Sequence, residues 1–230
     1  MSNAEISQPQ TSIFEQHPFW LKLCLVLMFL LAALIRRDEI RAPGLLLDRE
    51  YTSAIFARAF YLMNDEEVED WRRNIAVNTM NQQPVLEPPL VEYLVSIIYD
   101  VIGREEIYYS RYLTSTFWLI GGIFMYKIAR ELLSMEGAVF ATTYYLFVPM
   151  GILISRSFQP DSLMMMLFLA SLYLLISYFE NSTKNHLLQA SIVASVNLLL
   201  RPLVLFALFG AFLALSLQKR EIGERSLMGP

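Results

Sequence analysis

The sequence predicts an all-α, polytopic transmembrane helix bundle with one large loop between its first two spans. Hydrophobic residues make up 55% of the 230-residue chain and charged residues only 17%, against roughly 25% charged in an average soluble domain. The apolar residues fall in continuous runs long enough to cross a bilayer, and most of the charge lies in one stretch, residues 36–111. The same composition excludes other classes. Aromatic and aliphatic residues are too abundant for a disordered chain. The single cysteine, Cys24, sits inside an apolar run and supports no disulfide framework. A net charge of -4 gives no basic footprint for nucleic acid.

A spanning helix needs about 20 mostly apolar residues to cross about 30 Å of hydrocarbon. Residues 18–35 supply the first. The preceding residues hold no Lys or Arg, no small-residue cleavage site follows, and the run ends in Arg36-Arg37-Asp38-Glu39. It therefore reads as a retained transmembrane helix rather than a secretory signal, with Lys22 snorkelling to the interface.

Within the loop 36–111 two helical pieces are expected. In residues 50–63, Tyr51, Ile55, Ala59 and Leu62 recur at three- and four-residue steps, the spacing of an amphipathic helix. Residues 65–70 read as a solvated acidic turn. The second piece, Leu90–Ile102, opens after Pro88-Pro89, and proline suits a first helical turn. It reaches only about 20 Å at about 1.5 Å per residue and carries Glu92 and Asp100. That is too short and too polar to span, so it is expected to lie flat in the interface.

Three further spans follow at residues 112–130, with Gly121-Gly122 at its centre, 137–154 and 162–179. A longer run, 187–217, is interrupted by Arg201-Pro202 and forms either one kinked helix or two short ones. Such a break is tolerated where protein or a wet cavity receives the freed polar groups. With Leu90–Ile102 lying flat, two spans separate Glu87 from Asp161, so both carboxylates sit on the same side. Lys127 with Arg130, Lys184, and Lys219 with Arg220 then share the other side, which the positive-inside rule makes cytoplasmic. Arg36, Arg37 and Arg41 fall outside, where they flank a loop of more than ~60 residues and the rule weakens. Residues 1–217 thus form one transmembrane domain with an extracytoplasmic loop, and 218–230 a cytoplasmic tail or shortened loop. The Asn181-Ser182-Thr183 sequon falls on the cytoplasmic side and is discounted.

On the outer face this layout presents Asp48 at the head of the first loop helix, Glu87 before the proline pair, and Asp161 after Pro160 at the head of a span. Two carboxylates with waters and a phosphate make a hard-cation site. A third can take a proton from an acceptor hydroxyl or amine. Arg201, at a membrane break, can hold a lipid-borne phosphate as a fixed cation. Each also has a plainer role open to it. Asp48 and Asp161 are placed as helix N-caps, Glu87 as a solvated loop residue, Arg201 as a snorkelling cation, and Arg58 as a water-facing residue of the loop helix. Met164, Met165 and Met166 read as packing or lipid-facing surface, and His17 and His186 as interfacial.

The order of these motifs resembles a known family. Asp48-Arg49-Glu50-Tyr51 followed by residues 55–61, Ile-Phe-Ala-Arg-Ala-Phe-Tyr, resembles the first external loop of polyprenyl-phosphate-sugar glycosyltransferases. This is the dolichyl-phosphate-mannose protein mannosyltransferase and aminoarabinose transferase group, of the GT-C fold. Leu86-Glu87-Pro88-Pro89-Leu90 resembles its Glu-x-Pro motif, residues 103–113 its approach to the second span, and Gln159-Pro160-Asp161 its second acidic motif. Leu200-Arg201-Pro202 resembles the basic break after the next helix, and the match runs in order over residues 18–217.

The resemblance implies that Asp48 is catalytic, activating the acceptor or orienting the donor phosphate. It implies that Glu87 and Asp161 hold a divalent metal (Mg, Mn, Ca or Zn) and that Arg201, with Arg58, faces the donor phosphate. The implied reaction moves one sugar from a polyprenyl-phosphate donor in the membrane lipid to a protein, lipid or glycan acceptor on the outer face of the cell membrane. Two departures stand out. Arg49 follows Asp48 where many relatives carry an acid, and Glu87 precedes the proline pair where a basic residue is more usual. Relatives also have many more spans, so this chain is expected to correspond to their N-terminal part. The alternative is a truncated relative acting as a lipid-binding or assembly subunit. A transporter is disfavoured because the main spans carry no buried acid.

Overall fold

A computed structural model describes residues 18–37, 40–41, 48–65 and 67–227, and of residues 48, 64 and 220–227 the backbone alone. The expectations for residues 1–17, His17 among them, and for the last residues of the tail lie outside the described residues. Ten helices form among the described residues: α1 (Pro18–Arg37), α2 (Asp48–Asn64), α3 (Asp70–Asn81), α4 (Leu90–Ile102), α5 (Ile107–Leu132), α6 (Met135–Phe147), α7 (Pro149–Ser155), α8 (Asp161–Asn181), α9 (Lys184–Leu200) and α10 (Val204–Leu227). The fold is all-α and no strand occurs among them, as the composition predicts.

By length and composition α1 and α8 are each able to cross a membrane, and α6 with α7 forms a third span bent by 56°. Helix α5 is long enough, at about 39 Å for about 1.5 Å per residue, but Thr114, Ser115, Thr116 and Lys127 make it less apolar, so the expected span 112–130 is not among the helices able to cross by length and composition. α1 buries Met28, Ala32 and Arg36, one residue per turn, and exposes Leu27, Leu30, Leu31 and Leu34. That one-sided burial suits a helix with lipid on its outer face. Gly122 allows α1 and α6 close to α5, since a Cβ there would meet Leu146 at 2.8 Å and the Phe29 ring at 3.2 Å. Trp118 of α5 stacks on Tyr145 of α6 with centroids 4.8 Å apart and planes 7° off parallel.

The expected straight span 137–154 is thus two helices meeting at Val148-Pro149. Proline cannot continue the hydrogen-bond ladder and clashes with the preceding turn. Buried Arg36 satisfies part of the opened backbone: its Nη2 donates to Leu146 O at 2.9 Å and its Nε to Ser155 Oγ at 2.8 Å. Ser155 O accepts from Thr114 Oγ1 at 3.2 Å and Ser115 Oγ at 2.9 Å. The polar residues of α5 therefore face the break in its neighbour. The run 187–217 resolves into two helices, with the chain turning at Arg201–Leu203.

The loop 36–111 is a second layer docked on one end of this bundle. It holds three helices where the sequence suggests two. Helix α3 is polar, and a short polar helix draws its stability from tertiary contacts more than propensity. Arg73 supplies them, donating to Leu62 O at 3.2 Å and Asp65 O at 2.8 Å while pairing with Asp70 at 3.1 Å. Helix α2 packs on α3 through Ala59, Leu62 and Ala76. It packs on α4 through Ala57, Val91, Val95 and Tyr99, and the same cluster takes in Phe158, Leu163 and Leu200 of the bundle. Helix α4 presents Val91, Val95 and Tyr99 to protein and leaves Tyr93, Leu94, Ile97 and Val101 exposed. Two apolar faces on a helix too short to span suit an interfacial position.

Candidate functional site

The site begins at a buried ion pair. Glu50 of α2 and Arg111 of α5 are both 0% exposed. Arg111 Nε donates to Glu50 Oε1 at 2.8 Å and Nη2 to Oε2 at 3.2 Å, the two-point geometry that favours arginine over lysine. Phe158 N also donates to Glu50 Oε1 at 2.9 Å, and Arg111 Nη1 donates to Ile40 O at 3.1 Å. One carboxylate thereby ties the start of α2 to the start of α5 and to the strap entering α8.

With the α2 terminus fixed, its next-door residue Arg49 ion-pairs with Glu87 in the turn before α4. One helical turn along, Ser53 Oγ donates to Glu92 Oε1 at 2.7 Å. Asp161 heads α8 and accepts from Arg201 Nη2 at 3.3 Å across the α9–α10 break. These groups form one electrostatic neighbourhood. Burial, then the Arg201 charge, lower the Arg49 guanidinium below its ordinary value, with Asp161 and Glu92 opposing. Burial pushes the Glu92 carboxyl above the ordinary carboxylate range, with the Ser53 hydrogen bond pulling back. A cavity of about 320 Å³ opens beside Arg49, Ser53, Phe56, Glu87, Pro89 and Glu92.

Of the residues singled out from sequence, Asp161 and Arg201 pair directly, and Glu87 is linked to them through Arg49, whose guanidinium feels both of their charges. Asp48 is the first residue of α2 and adjoins Arg49 in the chain, but its side chain lies outside the described residues. Arg58 is not brought to the others. It sits beyond the next two turns of α2, ion-pairs with Glu105 at 3.6 Å, and lines a separate cavity of about 460 Å³ between α2 and α3. Asp161 does not cap its helix: Pro160 holds the cap position, and no side-chain capping bond forms there. Its carboxylate turns to Arg201 instead, so Arg201 is paired rather than snorkelling.

Sequence reasoning missed Arg49, Ser53, Glu92 and the Glu50–Arg111 pair as parts of the assembly. A signal existed for Glu92: an acid in the first turn of an otherwise apolar helix must find a buried partner or stay at its edge. Arg49 stood out only as a departure from the family pattern.

Residues 86–228, more than half of the chain, match the dolichyl-phosphate-mannose-protein mannosyltransferase family. The chain belongs to that family. The match includes Glu87, Glu92, Asp161 and Arg201 and begins after α2. No curated protein and no solved structure matches the chain. Membership makes it a membrane glycosyltransferase of the GT-C type, and the apolar helices agree with a membrane location.

The mannosyltransferase-family resemblance assigns a metal to Glu87 and Asp161. In this arrangement both carboxylates face arginines rather than a shared ion site. Each carboxylate neutralises a guanidinium, and no three His, Cys, Asp or Glu side chains converge on one point among the described residues.

Proposed function

We propose that this protein transfers a sugar from a polyprenyl-phosphate donor to an acceptor on the outer face of the cell membrane, with Arg49 and Arg201 holding the donor phosphate. The observation that carries this reading is the meeting of two arginine–carboxylate pairs at one end of an apolar bundle. Arg201 and Asp161 are 34% and 26% exposed, so their pair is open to exchange. The bound donor is a phosphodiester with one negative charge, and the phosphate monoester that leaves offers more charge and more acceptor oxygens than a carboxylate, so the guanidiniums would grip it more strongly as the bond to the sugar breaks.

The chemistry then needs one bond made and one broken. The acceptor oxygen attacks the anomeric carbon, and the carbon–oxygen bond to phosphate breaks with its electron pair going to phosphate. The acceptor proton passes to a carboxylate. Asp48, at the α2 terminus beside Arg49, is the proposed base. The two guanidiniums stabilise the charge that grows on phosphate, an effect worth about 10²–10³ in rate per donor in comparable sites.

Membranes carrying the protein, given polyprenyl-phosphate donors with labelled sugars, test this. Transfer should occur with the wild type and be lost in Asp48→Asn and Arg201→Ala at equal protein abundance. Equal transfer by wild type and both variants would sink the proposal. With arginines rather than a metal on the phosphate, a chelator should leave the rate unchanged. Loss of activity in chelator, restored by a divalent cation, would return Glu87 and Asp161 to the role of metal ligands.

A further inference from the structure

Helix α2 separates two cavities, and its two faces are chemically distinct. Arg49, Thr52, Ser53 and Phe56 line the cavity of the charged site, while Tyr51, Ala54, Ile55 and Arg58 line the cavity shared with α3. Both sets follow the spacing i, i+3, i+4, i+7, so each is one stripe of the helix. From α3 and beyond, Trp71, Arg72, Ile75, Ala76, Thr79 and Glu105 complete the second cavity.

We propose that this second cavity binds an acidic saccharide, and that this saccharide is the acceptor; the acceptor part rests on the function proposed above. Tyr51 and Trp71 are 56% and 60% exposed, large aromatic surfaces inside a concave site. The Trp71 indole N–H donates to Glu69 Oε2 at 2.8 Å, which orients the ring. Aromatic faces in a cavity of this size suit the C–H face of a sugar ring. The walls also hold two guanidiniums, Arg58 and Arg72, against the single carboxylate of Glu105. Arg58 meets that carboxylate only at 3.6 Å and is half exposed. The surplus cation, carried on arginine, selects a carboxylate or phosphate on the ligand. Tyr51 lies two residues from Arg49, about 3 Å along the helix axis at about 1.5 Å per residue, so one end of this cavity is level with the charged site.

The full chain, purified in detergent, is titrated calorimetrically with a short oligogalacturonate, a neutral malto-oligosaccharide of equal length, and oligoglutamate. The expected result is binding of the acidic saccharide, with the neutral chain about tenfold weaker or more, as one charge-assisted hydrogen bond implies. Oligoglutamate should also be weaker, because it offers no sugar face. Arg58→Ala with Arg72→Ala, and separately Trp71→Ala, should each weaken the acidic saccharide similarly, and Asp161→Asn should leave its binding intact. No binding, equal binding of acidic and neutral saccharides, equal binding of oligoglutamate, or variants that bind like the wild type would overturn the proposal. Sugar transfer without such binding removes this inference and leaves the proposed function standing. Binding without any transfer keeps the saccharide site and removes the acceptor role.

Discussion

Glu50–Arg111 and Asp161–Arg201 are both ion pairs between distant segments, yet they differ in every physical respect. The first is dry, two-pointed and closed off by the Phe158 amide and the Ile40 carbonyl. The second rests on one 3.3 Å contact and is partly open to solvent. A buried pair loses its attraction to water completely and works only when every remaining lone pair and proton is satisfied. Such a pair sets register and cannot exchange. A half-exposed pair contributes about 0–1 kcal/mol, so an incoming anion displaces it at little cost. A guanidinium and a carboxylate thus form a rivet in one place and, in the proposed function, a receptor in the other, and burial separates the two.

The largest effect should come from breaking the rivet. Arg111→Met leaves Glu50 buried without its cation, a loss of about 3–5 kcal/mol by comparison with other buried pairs. The variant should fail to accumulate, as measured by immunoblot of membranes and by melting temperature in detergent. A stable Arg111→Met protein with wild-type melting would contradict the assigned role.

Next comes the receptor pair, where stability and activity should separate. Arg201→Ala should melt within about 1 kcal/mol of wild type while transfer falls by about 10²–10³. Arg201→Lys should recover only part, because lysine lacks the fork that grips two phosphate oxygens. A parallel loss of melting temperature and activity would mean that Arg201 holds the fold and nothing more.

The smallest effect concerns Glu92. Its carboxyl is raised by burial, so the folded chain holds this proton more tightly than the unfolded chain does. Stability from this group is therefore greatest below the ordinary carboxylate value and declines as pH rises from there through the raised one. Glu92→Gln should flatten that part of the melting-temperature profile. Glu105 and Asp100 are raised by burial too and will keep part of the slope. An identical profile in Glu92→Gln would refute the assignment.

Much of this was legible before any coordinates. The apolar runs fix where the apolar helices lie, the step pattern of Tyr51, Ile55, Ala59 and Leu62 fixes α2, and Pro88-Pro89 fixes the start of α4. Residue types in order were enough to point to Glu87, Asp161 and Arg201. Helix α3 was not legible, because its order depends on Arg73 reaching back to carbonyls of the preceding turn. Nor was the bend at Pro149, whose opened backbone is satisfied by an arginine more than a hundred residues earlier.

Sequence by itself determined the class, the apolar helices and the short roll of charged residues in and beside the long loop. Hydrophobic length and periodicity are local properties, and a membrane enforces them segment by segment. Only the tertiary structure decided which charges meet. It put Arg49 rather than Arg58 beside Glu87, turned Asp161 from helix cap to partner of Arg201, and buried Glu50 against Arg111. Those outcomes depend on which face of α2 points to which neighbour, and that is settled by packing Ala59 against α3 and Ala57 against α4 and the distant bundle residues Phe158, Leu163 and Leu200.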